Sequence, residues 1–151
     1  MIKIISVGKL KEKYLLDAQK EYTKRLSKYT KLEIYEIQDE NDNDIVRALI
    51  KEKEKIIKFL KPQDNIILLD LKGTKVSSEK FSSLINEELT YKSNITFIIG
   101  SSNGVHEEIK KIASKTISIS DMTFPHQLFR IMLLEQIYRS FKIINNESYH
   151  K

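Results

Sequence analysis

The last three residues of the chain could bind RNA. Tyr149, His150 and Lys151 place an aromatic ring, an imidazole and a cation side by side, and such a set can stack on a base while it contacts the phosphate. The alternative is a frayed terminal segment without a binding role. Arg139 and Lys142 precede this tail and add positive charge to it.

A second candidate, Arg130, lies inside the apolar run of residues 128–134. A charge in that setting needs a partner, which could be a carboxylate, a helix end or a phosphate. His126 lies one turn earlier on the same face, where a lone histidine is more often structural than catalytic. The run is apolar around nearly the whole helix, although a helix covering one sheet needs a single stripe. We therefore predict a homodimer interface through this helix, the alternative being burial under the chain's own tail.

The composition excludes several kinds of chemistry. The 151 residues include no cysteine, which rules out disulfides, thiol catalysis and cysteine-bound zinc. His106, His126 and His150 are too far apart for the short helical spacings of metal ligands, so we predict no metal site. The apolar stretch at the N-terminus is too short for a signal peptide, and no run approaches the length of a membrane span. We expect a cytoplasmic protein.

Positive charge is concentrated in the first part of the chain. The net charge is +5, and residues 1–31 carry nine basic side chains against three acidic ones. Residues 33–54 reverse this balance, with eight acidic side chains against three basic ones. A basic face of this kind is typical of proteins that contact phosphates. The alternative is a solvated, lysine-rich helix.

The elements that must position these residues alternate between strand and helix. Apolar runs predict strands at 2–7, 32–37, 66–71, 95–99 and 116–119, each followed by a helical pattern, the last from Pro125 to about Ile144. This order predicts a single α/β domain, residues 1–151, with a mostly parallel sheet and helices on both faces. Ligands bind such sheets at the carboxyl ends of the strands. The candidate loops are therefore 69–73, 100–104 and 119–124.

Helical spacing also predicts which faces are buried. Tyr14, Ala18, Tyr22 and Leu26 recur four apart and predict the apolar face of the first helix. The second helix is marked by Ile45, Leu49, Ile56 and Leu60, with Asp44 as its N-cap.

The loop after the fourth predicted strand is rich in small residues. Residues 97–104 have the sequence Phe-Ile-Ile-Gly-Ser-Ser-Asn-Gly, and the absence of a side chain at Gly100 would let a ligand approach the backbone. An ordinary strand-to-helix turn is the alternative. Neither a P-loop nor the dinucleotide-binding glycine pattern is present.

Three segments together resemble one known family. They are Phe-Ile-Ile-Gly-x-x-Asn-Gly at 97–104, Ser-x-Met-Thr-Phe-Pro-His-Gln-Leu-x-Arg-x-x-Leu-x-Glu-Gln-x-Tyr-Arg at 120–139, and the terminal Tyr-His-Lys. They resemble the ribosomal large subunit methyltransferase H family of the SPOUT class. The resemblance extends over the whole chain, including Ser-Val-Gly-Lys-Leu-Lys-Glu-Lys-Tyr at 6–14 and Leu-Asp-Leu-Lys-Gly at 69–73. Ser101 departs from it, since the family usually has a second glycine there, and Lys151 stands where many members have arginine.

The resemblance implies a fold, a cofactor and a reaction. The fold is a small SPOUT domain with a C-terminal trefoil knot, working as a homodimer with S-adenosylmethionine bound in the knot. The reaction is methylation of N3 of pseudouridine 1915 in helix 69 of 23S rRNA, with the assembled ribosome as substrate. The implied cofactor-binding residues are Leu69, Gly100, Ile119, Ser120, Asp121, Met122, Thr123 and Phe124.

Roles toward the RNA follow from the same resemblance. Arg130, Arg139 and Lys151 match basic positions that contact RNA. His150 or Tyr149 could accept the proton of N3, and Arg139 could stabilise the anion that develops on the base. Two other functions stay open: a ribosome-binding protein without catalysis, and a SPOUT methyltransferase that acts on tRNA. The short chain, with no appended RNA-binding domain, argues against tRNA.

Overall fold

Strands and helices alternate throughout the computed structural model of the protein, which describes residues 1–150. In chain order the elements are β1 (Ile2–Val7), α1 (Lys13–Leu26), β2 (Leu32–Ile37), α2 (Ile45–Ile57), β3 (Ile66–Lys75), α3 (Ser78–Lys92), β4 (Ile95–Ile99), α4 (Glu107–Ile112), β5 (Lys115–Ser118) and α5 (His126–Ile144). None of the helices described over residues 1–150 is long and apolar enough to cross a membrane.

The five strands form one sheet in the order β2-β1-β4-β3-β5. Every neighbouring pair is parallel. One core packs α1, α3 and α5 against one face of the sheet, and a smaller core packs α2 and α4 against the other. The predicted α/β class, with helices on both faces of a parallel sheet, is confirmed. The knot implied by the resemblance stays a prediction.

Strand β3 extends beyond its apolar run, and a bulge separates the two parts of the strand. Leu69 and Thr74 both lie opposite Ile117 of β5, so residues 70–73 loop out between them. A Cβ atom on Gly73 would lie 2.5 Å from the carbonyl carbon of Ile117. Only glycine fits this close approach of two backbones, and the candidate loop at 69–73 is therefore a bulge within a strand.

The apolar circumference of α5 is covered largely by the chain itself. This helix contacts both α1 and α3 in addition to the sheet. Leu133, Leu134 and Ile137 are fully buried within one chain. The cover that this apolar face requires comes in large part from α1 and α3, so the apolar circumference does not by itself require a second molecule. The homodimer stays a prediction, and Leu128, which is partly exposed, lies on the surface that remains.

The faces predicted for α1 and α2 are confirmed in part, since Leu26 and Ile56 are buried and Ala18 and Tyr22 pack against the core, but the N-terminal ends of both faces differ. Tyr14 is 68% exposed and Leu15 is buried in its place, while Ile45 is 53% exposed. On α2 the buried residues are Ala48, Glu52 and Ile56. More than one row of residues on each helix has the spacing of an apolar face, and packing against the sheet determines which row is buried. Asp44 is the N-cap of α2, as predicted, accepting hydrogen bonds from the backbone N–H groups of residues 46 and 47.

Candidate functional site

The three candidate loops lie together at one edge of the sheet. Strand β3 lies between β4 and β5, and Leu69 is paired with Ile99 on one side and Ile117 on the other. Because all three strands are parallel, Gly100 after β4 and residues 119–124 after β5 leave the sheet at the same edge, whereas residues 70–73 bulge out of β3, which continues to Lys75. The structure thus brings Leu69, Gly100 and the segment 119–124 into one neighbourhood.

The loop at 119–124 is organised by local hydrogen bonds. The Ser120 hydroxyl accepts a hydrogen bond from the Met122 N–H at 3.0 Å, and the Ser118 hydroxyl donates to the Ser120 carbonyl at 3.1 Å. Asp121 forms an exposed ion pair with Lys75 at 2.5 Å. Met122 projects into solvent, with 71% of its surface exposed. The loop is shaped by its own turn and presents an apolar side chain to solvent.

A cavity adjoins this loop. It has a volume of about 240 Å³, and its lining residues are Val76, Ser77, Ser78, Phe81, Ile119 and Gln136. The Ser78 hydroxyl donates to Oε1 of Gln136 at 2.7 Å and joins the start of α3 to α5. The cavity therefore connects the end of β5 with the middle of α5. A more open groove of about 570 Å³ lies between α3 and β5.

Gly100 is needed by its own loop. A Cβ atom at this position would lie 2.5 Å from the carbonyl oxygen of Gly104. The loop closes on itself through hydrogen bonds from the Ser101 N–H to the Gly104 carbonyl at 3.2 Å and from the Gly104 N–H to the Ser101 carbonyl at 2.9 Å. The sequence analysis explained Gly100 by the approach of a ligand to the backbone. That explanation is incomplete, because a side chain at this position would first displace Gly104.

The three candidate catalytic residues come together at the end of α5. Nη1 of Arg139 donates to Nδ1 of His150 at 3.1 Å, and the Arg139 guanidinium lies over the Tyr149 ring at 4.8 Å. The Tyr149 hydroxyl donates to Oε2 of Glu135 at 2.9 Å, and Nη2 of Arg139 donates to Oε1 at 2.7 Å. Tyr149 and His150 are thus docked on the domain. Lys151, the remaining candidate of the tail, lies outside the described residues.

Glu135 is the organising carboxylate of this cluster, and sequence reasoning missed it. It also accepts a hydrogen bond from the Tyr22 hydroxyl of α1 at 2.6 Å. Its position four residues before Arg139 was a signal for an ion pair on one helix face. Burial raises the pKa of Tyr149, and the Glu135 carboxylate raises it further. At neutral pH, Tyr149 is therefore a hydrogen-bond donor rather than a proton acceptor.

His150 has a defined tautomer in this arrangement. Because Nδ1 accepts a hydrogen bond from Arg139, the proton lies on Nε2, which donates to Oε1 of Glu79 at 2.8 Å. Glu79 belongs to the first turn of α3, next to Ser78 of the cavity wall. His150 is therefore connected, through the start of α3, to the cavity whose wall includes Ile119 of one candidate cofactor loop.

Arg130 is engaged inside the protein and is 0% exposed. Its Nη1 donates to Oε2 of Glu36 at 2.6 Å and its Nη2 to the carbonyl of Gly8 at 2.6 Å. Burial acts to raise the pKa of Glu36, but hydrogen bonds from Arg130 and from the Leu10 N–H outweigh it and lower that pKa. Of the three kinds of partner that the sequence analysis considered for Arg130, the structure shows a carboxylate. Contact of Arg130 with RNA stays a prediction.

His126 ties α5 to the end of β1. Its Nε2 atom contacts the Val7 carbonyl, which can only accept, so Nε2 carries the proton. Burial lowers the pKa of His126. The Val7 carbonyl, Asp39 and Glu52 oppose this effect, whereas Arg130 adds to it. His126 is therefore neutral at neutral pH, and its role is to hold α5 against the end of β1.

Stability is therefore expected to fall as the pH drops below about 6.5, the ordinary histidine pKa. A histidine with a lowered pKa binds its proton more weakly in the folded than in the unfolded chain, so protonation favours unfolding. We expect a loss of about 1 kcal/mol or less between about pH 7.5 and about pH 5.5, measured by urea denaturation. The His126→Gln variant should show a smaller loss and the control His106→Gln the wild-type loss. An unchanged pH dependence in His126→Gln would show that another group titrates.

Comparison with known proteins shows the class to which this chain belongs. Residues 1–150 match the family model described as predicted SPOUT methyltransferase. The ribosomal RNA large subunit methyltransferase H of Caldicellulosiruptor bescii is 51% identical over 154 residues, covering 100% of both chains. The proteins of that name from Clostridium kluyveri and, as methyltransferase H 1, from Clostridium perfringens are each 54% identical over 157 residues, covering 99% of both chains. The chain belongs to the ribosomal large subunit methyltransferase H family of SPOUT methyltransferases.

Proposed function

We propose that this protein is an S-adenosylmethionine-dependent methyltransferase that modifies the RNA of the large ribosomal subunit. The observation that carries the proposal is the cluster of Arg139, Tyr149 and His150, which contacts the start of α3 beside a cavity lined by Ile119 of a candidate cofactor loop. The relatives that match this chain over its full length are named for that activity. The acceptor atom that we propose is N3 of pseudouridine 1915 in helix 69 of 23S rRNA. The substrate is the assembled ribosome in the cytoplasm, and the enzyme is a homodimer of single-domain chains.

The residues at the sheet edge fit the cofactor. Ile119, which lines the cavity, offers apolar surface for the adenosine, while Leu69 is 7% exposed and packs in the core. The loops at 100–104 and 119–124 lie outside the sheet ladder, and part of their backbone N–H and C=O groups is paired within each loop. Met122 is an exposed apolar side chain beside them. S-adenosylmethionine supplies an electrophilic methyl group, so the main tasks of these residues are to orient it and to exclude water. Such alignment can contribute up to about 7–11 kcal/mol.

The C-terminal cluster supplies the groups that handle the acceptor. The proton on N3 must leave before or during methyl transfer, and the neutral imidazole of His150 can accept it at Nδ1. In the described arrangement Arg139 donates to that atom. We propose that entry of the base draws Arg139 toward the developing anion, which frees the lone pair of Nδ1. Tyr149 keeps its proton and positions the base by stacking or by donating a hydrogen bond.

Methyl transfer with a labelled cofactor tests the function. Purified protein is incubated with labelled S-adenosylmethionine and with intact ribosomes, large subunits, free rRNA or tRNA, and the products are digested for nucleoside mass spectrometry. We expect 3-methylpseudouridine from ribosomes. Binding to ribosomes without methyl transfer would favour the non-catalytic alternative, and label in tRNA would favour the other methyltransferase.

Substitution of Gly100 tests whether the loop at 100–104 belongs to the cofactor-binding site. We expect Gly100→Val to weaken S-adenosylmethionine binding by at least about tenfold, because a branched side chain displaces Gly104 and deforms the loop. Isothermal titration calorimetry in the presence of a chelator measures the affinity. Thr90→Val, on the exposed surface of α3, provides the control and should bind as the wild type does. Equal affinities for Gly100→Val and the wild type would remove this loop from the binding site.

A further inference from the structure

An acidic residue occupies an interior position of α2. Glu52 is 3% exposed and shares its buried face with Ala48 and Ile56. Its Oε2 accepts a hydrogen bond from the Ser101 hydroxyl at 3.0 Å, and its Oε1 accepts one from the Glu40 N–H at 3.1 Å. One carboxylate therefore connects α2, the segment that leads into α2, and the loop after β4.

The burial of this carboxylate is costly and has no compensating cation. Among the ion pairs formed by residues 1–150, none includes Glu52. A buried carboxylate without a cation depends on its hydrogen bonds, and an apolar side chain would fill the position at lower cost. The two bonds that Glu52 makes therefore account for its presence, and one of them reaches Ser101.

Ser101 links Glu52 to the loop at 100–104. Its backbone closes the loop through the paired hydrogen bonds with Gly104, and its hydroxyl also lies 3.4 Å from the Gly104 carbonyl. Gly100, a candidate cofactor residue, packs against that same carbonyl. A bond that fixes Ser101 thus fixes the shape of the whole turn. The serine that departs from the family pattern has a defined partner in this chain.

We propose that Glu52 is a positioning residue for the cofactor. Through the Ser101 hydroxyl it keeps the loop at 100–104 in the shape that S-adenosylmethionine binds. This role rests on the proposed function, since it concerns affinity for that cofactor. Glu52 acts through Ser101 and does not itself touch the ligand.

Removal of the hydroxyl is the first test. We expect Ser101→Ala to weaken S-adenosylmethionine binding by about threefold to tenfold, the worth of one hydrogen bond, as measured by titration calorimetry on the full chain. Ser101→Thr, which keeps the hydroxyl, should bind within about twofold of the wild type. In steady-state assays the KM for the cofactor should rise in Ser101→Ala while kcat at saturating cofactor is unchanged.

Variants at Glu52 separate hydrogen bonding from charge. Glu52→Ala should weaken binding as Ser101→Ala does, and the double variant should be no weaker than the weaker single variant. Glu52→Gln should bind nearly as the wild type. Its amide oxygen can accept from the Glu40 N–H and its amide group can donate to Ser101, whose own proton turns to the Gly104 carbonyl. Glu54→Ala, on the exposed face of the same helix, is the control and should have no effect.

Hydrogen exchange in the free protein gives a readout without cofactor. The N–H groups of Ser101 and Gly104 should exchange faster in Ser101→Ala and Glu52→Ala than in the wild type, while those of β4 are unchanged. Wild-type affinity in Ser101→Ala, multiplying losses in the double variant, or equal losses in Glu52→Gln and Glu52→Ala would overturn the positioning role. If the wild-type chain binds no S-adenosylmethionine, the cofactor assignment itself fails and this role fails with it.

Discussion

The His150→Ala variant is expected to transfer methyl groups to ribosomes about a hundredfold more slowly than the wild type, with little change in cofactor affinity. General-base catalysis contributes about 10²–10⁴ in rate, and His150 is the group of the C-terminal cluster whose neutral form offers a lone pair, at Nδ1. Tyr149 keeps its proton because burial and Glu135 raise its pKa. The measurement is the single-turnover rate on ribosomes at saturating enzyme, which separates the chemical step from binding.

Two controls separate this role from a structural one. His106→Ala removes a histidine that caps α4, far from the cluster in sequence and on another helix, and should leave the rate near that of the wild type. His150→Ala should also keep the wild-type melting temperature, because the side chain is partly exposed and its contact with Glu79 is on the surface. A single-turnover rate equal to the wild type in His150→Ala would reject the base and leave Arg139 as the catalytic candidate.

Arg130→Ala is expected to lower the free energy of unfolding by about 3 kcal/mol. Loss of one partner of a buried ion pair costs roughly 3–5 kcal/mol, and the low end applies because the Glu36 side chain keeps 32% of its exposure. The variant also leaves the Gly8 carbonyl without its donor and opens a cavity in a fully buried position. Urea denaturation measures the change, and a lower midpoint at unchanged slope would identify it as a loss of stability.

An exposed arginine supplies the matched control. Arg47 pairs with Asp42 at 3.2 Å but is 63% exposed, so Arg47→Ala should change stability by less than about 1 kcal/mol. The two roles assigned to Arg130 predict different outcomes. If Arg130→Ala unfolds at the wild-type urea concentration and binds ribosomes more weakly, the residue contacts RNA and its buried ion pair is not the main function. A large loss of stability supports the role in folding.

Much of the local structure was available from the sequence. Apolar runs located all five strands, and the cap at Asp44 located the start of α2. The strand ends that were predicted to carry a ligand site are neighbours in the sheet, with Leu69 paired to Ile99 and Ile117, although residues 70–73 are a bulge within β3. These features depend on residues that are neighbours along the chain, where helical and strand periodicity and capping hydrogen bonds act. The motifs at 97–104 and 120–139 identified the family by the same local information.

The tertiary structure alone decided the contacts between distant residues. Glu36 and Arg130 are 94 positions apart, and Tyr22 and Glu135 are 113 positions apart. No local pattern pairs such residues, because their meeting depends on the strand order and on which helices share a face of the sheet. The burial of Leu15 in place of Tyr14, the acid at position 52 and the bulge at 70–73 have the same origin. In each case the local sequence pattern allowed more than one arrangement, and packing against the sheet determined which one formed.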